Sequence, residues 1–358
     1  MYLIPCLFFF ISSALQLAVS GGDFIPDPGC PTPNPRLFAA SLAIQALLHS
    51  ITDDPKGFTA NWYGPDVCSY KGIVCAPPPD DPDSTTVAGI DLNHANIAGT
   101  LPEELGLLTD LAIFHLNSNR FTGTVPEGFS DMKLLYEFDI SNNLFSGYFP
   151  EVVLRIPSLK YLDLRFNTFV GKIPAAVFDL KLDAFFFNNN GFTFSLPSSL
   201  GNSSVSVLVA ANVAGIGSLP PDIGRLSGTL TEIVLLNSGL SGVLPAEIGQ
   251  LTELTVLDVS FNNLTGTLPE SIGNLARLEQ LNVGHNRLSG DIPESICLLP
   301  NLQNFTYSDN YFCSAPDSCD DLRNSDGADN CIPCEDNQRS DEECRPFCPE
   351  ESDDCSDD

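Results

Sequence analysis

The chain of 358 residues repeats one pattern of apolar positions about every 24 residues between Ile90 and Phe312. Each repeat contains an apolar residue followed by proline, and successive prolines lie 23, 24 or 25 residues apart. They are Pro102, Pro126, Pro150, Pro174, Pro197, Pro220, Pro245, Pro269 and Pro293. Aligned on them, the unit reads LxxLxLxxNxLxGxLPxxLGxL, most clearly in LTVLDVSFNNLTGTLPESIGNL. A fixed period of this length is typical of a solenoid.

This consensus predicts an α/β fold, a leucine-rich repeat solenoid of about ten units. The LxL segments form short strands that stack in parallel into one curved sheet, and ten strands at ~4.8 Å give a concave face about 45 Å long. The G-x-I/L-P portion resembles the plant extracellular class of these repeats, which adds a second short strand. A column of asparagines is assigned a structural role, because a buried amide can satisfy backbone groups that the sheet leaves open. The column comprises Asn119, Asn143, Asn167, Asn190, Asn212, Asn262, Asn286 and Asn310.

Repeats five to seven break the polar pattern of the strand positions that face solvent on the concave side. Apolar residues are expected there side by side, and such a patch with a polar rim marks a contact site. Aspartate is also common at the flanking positions in this repeat class, which offers a purely structural explanation for the carboxylates. The predicted ligand site comprises Phe186, Leu208, Val234 and Leu236, flanked by Asp139, Asp163 and Asp258.

Residues 36–86 are predicted to form an amino-terminal cap, since the first repeat would otherwise expose its apolar edge. Residues 37–51 fit an amphipathic helix, and Trp62 precedes a pair of cysteines, Cys68 and Cys75, that we expect to form a disulfide. The repeats then occupy residues 87–312.

Residues 1–20 are predicted to be a cleaved signal peptide, followed by a proline-rich segment at 21–35. A signal anchor is the alternative, but the apolar run is short for a membrane span. No later run is long enough, so we expect a secreted chain without a transmembrane anchor. Export would leave eleven cysteines, an odd number that implies a free thiol or an intermolecular bridge. The sequons at Asn202, Asn263 and Asn304 predict N-glycosylation.

The formal net charge of −30 excludes electrostatic binding of nucleic acid and favours a cationic partner. Residues 313–358 form a cysteine-rich acidic tail with sixteen acidic and three basic residues. Its C-x2-C pair, Cys331 and Cys334, suggests either zinc or disulfides, and export favours disulfides. No calcium-loop motif is present, so neither a metal nor a cofactor is expected.

Several segments resemble the leucine-rich repeat extensins of plant cell walls. They include VAGIDLNHANIAGTLPEELGLLTDLAIFHLNSNRFTGTVP, VSVLVAANVAG and LPNLQNFTYSDNYF in the repeats, and NCIPCEDNQRSDEECRPF in the tail. Alignment to the family pairs Cys297 with Cys319, although Cys313 competes as a partner. Family members continue into a long Ser-Pro-rich extensin module that this sequence lacks, which puts covalent anchoring in the wall in doubt.

The resemblance implies secretion to the cell wall and binding of basic, cysteine-rich peptides of the rapid-alkalinization-factor class in wall integrity and expansion. It also implies malectin-like receptor kinases and wall polymers as further partners, and a homodimer. An inhibitor of microbial polygalacturonases and a passive wall protein are the alternatives. An enzyme is not expected, because the four histidines are scattered and no nucleophile motif accompanies them.

Overall fold

The computed structural model describes residues 34–348. The predicted signal peptide, nearly all of the proline-rich segment and residues 349–358 lie outside the described residues, as do Cys6, Cys30 and Cys355. The prediction of a free thiol or an intermolecular bridge therefore also concerns cysteines outside the described residues. From residue 34 to residue 348, no helix is both long and apolar enough to cross a membrane.

The cap opens with helix α1 (Pro35–Ser50), which begins two residues before the predicted start. The Asn34 side chain accepts hydrogen bonds from the first free backbone N–H groups, and proline at the first position fits because it lacks one. Buried residues recur at helical spacing (Ala40, Ala43, Ile44, Leu47) and face the first repeat.

A disulfide and a buried tryptophan fix the rest of the cap. Cys68 is bonded to Cys75, as predicted, with a Cα–Cα distance of 5.6 Å. Trp62 is 2% exposed, stacks on Tyr70 and donates its indole N–H to the carbonyl of Lys71 at 2.9 Å. The antiparallel strand that follows Tyr70 then pairs with the first repeat and starts the main sheet.

Within residues 34–348, the main sheet has twelve strands, all parallel except for the first pair. It contains β2 (Ile73–Ala76), β3 (Thr86–Asp91), β5 (Ile113–His115), β7 (Glu137–Asp139), β9 (Tyr161–Asp163), β11 (Ala184–Phe186), β13 (Val207–Val209), β14 (Glu232–Val234), β16 (Val256–Asp258), β18 (Gln280–Asn282), β20 (Asn304–Thr306) and β22 (Asn324–Asp326). The last strand extends the sheet beyond the ten predicted repeats, into the segment assigned to the tail.

Short second strands form two further sheets. One contains β1 (Ile51–Asp53), β4 (Ala98–Gly99), β6 (Arg120–Gly123), β8 (Leu144–Gly147), β10 (Thr168–Lys172) and β12 (Gly191–Thr193). The other contains β15 (Ser241–Gly242), β17 (Asn263–Gly266), β19 (Arg287–Asp291) and β21 (Tyr311–Ser314). Only isolated bridges cross the gap between them, at residues 193–214 and 217–240. The second sheet is thus interrupted behind repeats five to seven.

A short helix follows the proline of each repeat, since proline cannot continue a strand ladder. These are the 3-10 helices Glu103–Leu107, Glu127–Asp131, Glu151–Arg155, Ala175–Asp179, Ser198–Asn202, Pro221–Leu226, Ala246–Gln250 and Glu270–Asn274, and helix α2 (Glu294–Cys297). The remaining helical turns are Val67–Ser69 and Asp317–Cys319 and helix α3 (Asp341–Cys344).

The asparagine column forms the predicted buried ladder. Asn143 donates its amide hydrogens to the carbonyls of Leu116 (2.8 Å) and Ile140 (3.2 Å), and its Oδ1 accepts from the N–H of Phe121 (2.9 Å). Each ladder residue therefore joins its own repeat to the one before it. Asn330 makes the same contacts after the last strand and extends the column by one unit.

Asn212 does not belong to this ladder, and the prediction that it does was wrong. It is exposed with φ 55°, and its amide donates to Oδ1 of Asn189 at 2.9 Å on the surface. Val213, 1% exposed, fills the ladder position instead. The sixth repeat thus has an apolar residue at the position where the neighbouring fifth repeat has the ladder asparagine.

Three disulfides that join cysteines within residues 34–348 close the carboxyl-terminal end. Cys297 is bonded to Cys319, the pairing that the family alignment implied, while Cys313 is bonded to Cys348. Cys331 is bonded to Cys344, so its sulfur is not a thiolate ligand for zinc. Within residues 34–348, no group of three or more metal-binding side chains is assembled.

Candidate ligand-binding face

Two rows of side chains line the concave face, and backbone pairing fixes which residues share a row. Strand register aligns Phe186 with Val209, Val209 with Val234, and Val234 with Asp258. We call this line the first row, and the residues two positions later the second row. The first row is Asp91, His115, Asp139, Asp163, Phe186, Val209, Val234, Asp258, Asn282, Thr306 and Asp326.

Leu208 is therefore not on the concave face, and its assignment to the ligand site was wrong. Its side chain is 0% exposed and points into the core, whereas Val209 faces the concave side. The error follows from Asn212. Placing that residue in the ladder shifts the strand by one position, and a one-residue shift exchanges the two faces of a strand.

Aspartates in the first row stabilise the backbone where each strand ends. Oδ1 of Asp139 accepts hydrogen bonds from the N–H (2.9 Å) and the hydroxyl (2.6 Å) of Ser141. Asp258 makes the same pair of bonds to Ser260, at 3.0 and 2.6 Å. These contacts support the structural explanation for both carboxylates, although both side chains remain partly exposed.

Repeats five to seven have no such aspartate, because the first row carries Phe186, Val209 and Val234 there. With Leu236 of the second row and Val207, which precedes Val209 on its strand, these residues form what we call the apolar patch. All five are partly exposed. The aspartate that accepts backbone hydrogen bonds in other repeats is thus replaced here by apolar side chains that face solvent. Exposed apolar area of this kind favours a role in contacting a ligand over a structural role.

An ion pair and the ring of Tyr161 border the patch on its amino-terminal side. Nε of Arg165 lies 2.9 Å from Oδ2 of Asp163, without the alignment of a hydrogen bond. The Arg165 guanidinium also lies over the ring of Phe186, 4.9 Å from its centroid, and that ring is 5.4 Å from the ring of Tyr161. Side chains from two adjacent repeats thereby enclose the carboxylate of Asp163.

Asp163 is 0% exposed, which corrects its assignment as a flanking surface acid. Burial and the nearby charge of Asp139 raise the pKa of Asp163 to about 7, against the opposing effect of Arg165. Burial and the charges of Asp163 and Asp139 also raise the pKa of the Tyr161 hydroxyl. Asp163 is thus a covered counter-ion for Arg165, and it offers no free carboxylate to a ligand.

Asn188, in the second row beside Arg165, is the polar member of this region that lacks a partner. The residue is 7% exposed, and its Oδ1 is buried without a hydrogen-bond donor. Ser141 and Ser260, which occupy the same position in other repeats, are each held by a first-row aspartate. Phe186 occupies the corresponding position here and cannot supply that contact.

The three sequons lie on different surfaces. Asn202, at the end of its 3-10 helix, and Asn263, in the second sheet, are exposed away from the concave rows. Asn304 begins strand β20 on the concave sheet, and its Oδ1 accepts from the amide of Asn324 at 2.7 Å. A glycan on Asn304 would stand at the carboxyl-terminal end of the concave face.

Comparison with known proteins agrees with this architecture. The leucine rich repeat family model matches residues 109–169 and 229–312, and the stretch between them contains most of the apolar patch. Leucine-rich repeat extensin-like protein 7 of Arabidopsis thaliana is 54% identical over 314 residues, covering 88% of this chain and 72% of that protein. The chain belongs to the leucine-rich repeat extensin-like family.

A second member of this family, leucine-rich repeat extensin-like protein 6 of Arabidopsis thaliana, is 67% identical over 234 residues, covering 65% of this chain. The match spans 50% of that relative's length. Among solved structures, the ectodomain of the Arabidopsis receptor kinase HAESA, in complex with an extended IDA peptide hormone, aligns with a TM-score of 0.63 at 26% identity. The alignment covers 78% of this extensin-like chain and 50% of the ectodomain.

Sequence reasoning placed Phe186, Val234 and Leu236 correctly on the concave face but missed Val209 and Val207. The alternation of apolar residues in VSVLVAANV would have located both, had the repeat been aligned on its buried positions. The alternation of apolar residues does not predict the burial of Asp163 and Asn188, because that burial depends on side chains from neighbouring strands.

Proposed function

We propose that this extensin-like protein binds a basic, cysteine-rich signalling peptide of the rapid-alkalinization-factor class on the concave face of repeats five to seven. The observation that carries the proposal is the apolar patch, which replaces the capping aspartates of the other repeats. A central apolar area inside a polar surface is the arrangement in which binding energy concentrates.

Charge supports a cationic ligand. The chain carries a net charge of −30, and the partly exposed carboxylates of Asp139, Glu232 and Asp258 surround the patch. Opposite charge accelerates association and selects against acidic partners. Because Asp163 is covered by Arg165, the basic side chains of the ligand would contact these three carboxylates instead.

Similarity to the HAESA ectodomain supports a peptide as the ligand class, since that leucine-rich repeat ectodomain was solved in complex with a peptide hormone. We infer secretion to the cell wall, a role in wall integrity and expansion, and malectin-like receptor kinases or wall polymers as further partners from the family. A homodimer is proposed on the same basis. We also propose a cap at residues 36–86 and repeats from residue 87, which β22 and Asn330 extend by one unit beyond residue 312 into the predicted tail.

Calorimetric titration of the secreted protein with a folded, basic cysteine-rich peptide of this class tests the proposal. The double variant Phe186→Ala/Leu236→Ala should weaken binding by more than tenfold, because central anchors contribute about 2 kcal/mol or more. Asp258→Asn should have a smaller effect, about 0.2–1 kcal/mol, and should lessen the dependence of association on salt.

Full affinity in the double variant, with an unchanged melting temperature, would move the site away from the patch. Failure of the wild-type protein to bind the basic peptide, combined with saturable inhibition of a polygalacturonase, would favour the inhibitor alternative. Absence of both activities would favour a passive wall protein.

A further inference from the structure

A further line of side chains follows the second row, at the edge where each repeat leaves the concave sheet. Its members all have φ between 49° and 56°, and the backbone N–H of each but the last donates to the carbonyl immediately before the next member. The same backbone conformation therefore recurs at this edge in successive repeats. We call this line the edge row: Asn142, Phe166, Asn189, Asn212, Asn237, Phe261 and His285.

Two phenylalanines in the edge row are not explained by the fold. Asparagine tolerates positive φ, whereas a bulky residue adopts it only at a cost. Phe166 and Phe261 are 47% and 51% exposed, so burial in the core does not compensate for that cost. Residues held in such conformations cluster at ligand sites. Exposed rings at these two positions therefore point to a role in binding.

The ring of Phe261 is supported on one face. His285, the next member of the row, stacks on it with a centroid distance of 3.9 Å and an interplanar angle of 23°. Because the members follow one another along the solenoid, the opposite face of the Phe261 ring is turned towards the preceding repeats. That face is a platform on which a flat ligand can stack.

Three asparagines between the two phenylalanines form a ladder of amides. Nδ2 of Asn212 donates to Oδ1 of Asn189 at 2.9 Å, and Nδ2 of Asn237 donates to Oδ1 of Asn212 at 2.8 Å. Asn212 and Asn237 are exposed, and Asn189 is partly exposed. Since a carboxamide has two donors and two acceptor lone pairs, the ladder can both donate to a ligand and accept from it.

The surface beside this ladder carries neither large side chains nor charge. The positions two residues after its three amides hold Gly191, Ala214 and Gly239, all exposed, whereas the flanking repeats have Thr168 and Asn263 there. No edge-row residue from one phenylalanine to the other is charged, and neither are the two residues that follow each of them. A neutral shelf of this kind stands out in a chain with a net charge of −30.

We propose that the edge row from Phe166 to Phe261 binds a neutral, extended polysaccharide of the β-1,4-glucan type. One sugar ring stacks its C–H groups on the open face of Phe261, and sugar hydroxyls bond to the amide ladder. The inference rests on the proposed function in one respect, since it gives the wall polymers named there a chemical class and a site. That site is separate from the apolar patch.

The dimensions and chemistry of the row favour this ligand. The two phenylalanines are four repeats apart, ~19 Å at the strand spacing of ~4.8 Å, which is close to the length of one sugar residue in an extended glucan. A hydroxyl can donate or accept, so it matches either end of an amide. An acidic polysaccharide would meet no cation on the shelf and would be repelled by the net charge. An apolar protein surface would leave the exposed amides unpaired.

Ligand-observed NMR titration of the secreted full chain with cellohexaose tests the site. We expect saturable binding of cellohexaose and none of maltohexaose, whose α-linkages curve the chain, or of hexagalacturonate, which is acidic. Phe261→Ala should weaken cellohexaose binding about tenfold, the loss expected when a central aromatic anchor is truncated. Asn212→Ala should weaken it about fivefold, because it removes the middle amide of the ladder.

Tyr148→Ala and Asn142→Ala are matched controls that should preserve binding. Tyr148 is 79% exposed outside the edge row, and Asn142 lies in the row before its first phenylalanine. Cellohexaose should also bind both the secreted protein and Asn263→Gln, which lacks the predicted glycan beside Phe261. Binding by Asn263→Gln alone would mean that this glycan covers the row, and would overturn the role of the row in the secreted protein.

Equal binding of the three hexasaccharides, or full affinity for cellohexaose in Phe261→Ala, would overturn the proposal. Self-association that is lost in Phe261→Ala, without any binding of cellohexaose, would assign the row to a protein contact instead. Failure of the basic peptide to bind while cellohexaose still binds would overturn the proposed peptide function and leave the polysaccharide site standing.

Discussion

The pH dependence of stability provides a direct test of the cluster around Asp163. Burial raises the pKa of this carboxyl to about 7, whereas an aspartate in an unfolded chain titrates near ~3.9. The folded protein thus holds the proton more tightly than the unfolded chain. The favourable contribution of protonated Asp163 is complete below ~pH 4, is lost as the pH rises towards ~7, and does not change further above it.

A difference of about 3 pKa units corresponds to about 4 kcal/mol, at about 1.4 kcal/mol per unit. Asp163→Asn keeps the shape of the protonated carboxyl and removes its titration. The attraction between Arg165 and the ionised carboxylate is already part of the balance that sets the pKa of Asp163, so the variant removes it together with the titration. The stability of Asp163→Asn relative to the wild-type protein should therefore increase by about 2–3 kcal/mol between ~pH 5 and ~pH 8.

Urea denaturation of both proteins at these two pH values measures the change. Asp258→Asn is the control, because that residue lies in the same row but is partly exposed and has no arginine partner. Parallel pH profiles for the wild-type protein and Asp163→Asn would show that Asp163 is ionised in the folded protein throughout. The description of it as a covered, neutralised acid would then be wrong.

Further substitutions test the asparagine ladder, the corrected register of the sixth repeat and the sequon at Asn304. Asn167→Ala should cost about 2–4 kcal/mol in denaturation experiments, because it removes four hydrogen bonds, while Asn212→Ala should cost about 1 kcal/mol or less; equal costs would contradict the ladder assignment. Leu208→Ala should cost about 2–5 kcal/mol, whereas Val209→Ala should weaken peptide binding and leave stability nearly unchanged, and the opposite result would restore the original register. Asn304→Gln, checked by intact mass and calorimetry, should remove a glycan without changing peptide affinity, since the residue lies three strands beyond Val234 of the apolar patch; lost affinity would extend the ligand footprint.

The solenoid could be predicted because one period fixes many positions at once. The residues of the LxL strands, the prolines and most of the asparagines recur together, so an error at one position is corrected by the others. The sixth repeat lacks that redundancy. With Val213 at the ladder position and an asparagine one residue earlier, the most conspicuous polar residue gives the wrong register, while the buried positions Val205 and Leu208 give the right one.

The burial of Asp163 was beyond prediction for a different reason. Its position in the row matches that of Asp139 and Asp258, which remain partly exposed. The difference comes from Arg165 on its own repeat and from Phe186 on the next strand, whose side chains meet above it. Exposure of a charged residue on a concave sheet depends on such cross-strand neighbours, which a single repeat read in isolation does not reveal.

Departures from the repeat pattern cluster in one part of the solenoid. Repeats that keep both the ladder amide and the capping aspartate satisfy their own backbone and leave little for a ligand to supply. Repeats five to seven give up the aspartate in favour of Phe186, Val209 and Val234, interrupt the second sheet and leave the Asn188 oxygen without a donor. Because each departure removes a stabilising contact and all lie within three consecutive repeats, a bound partner is the common explanation that accounts for them together.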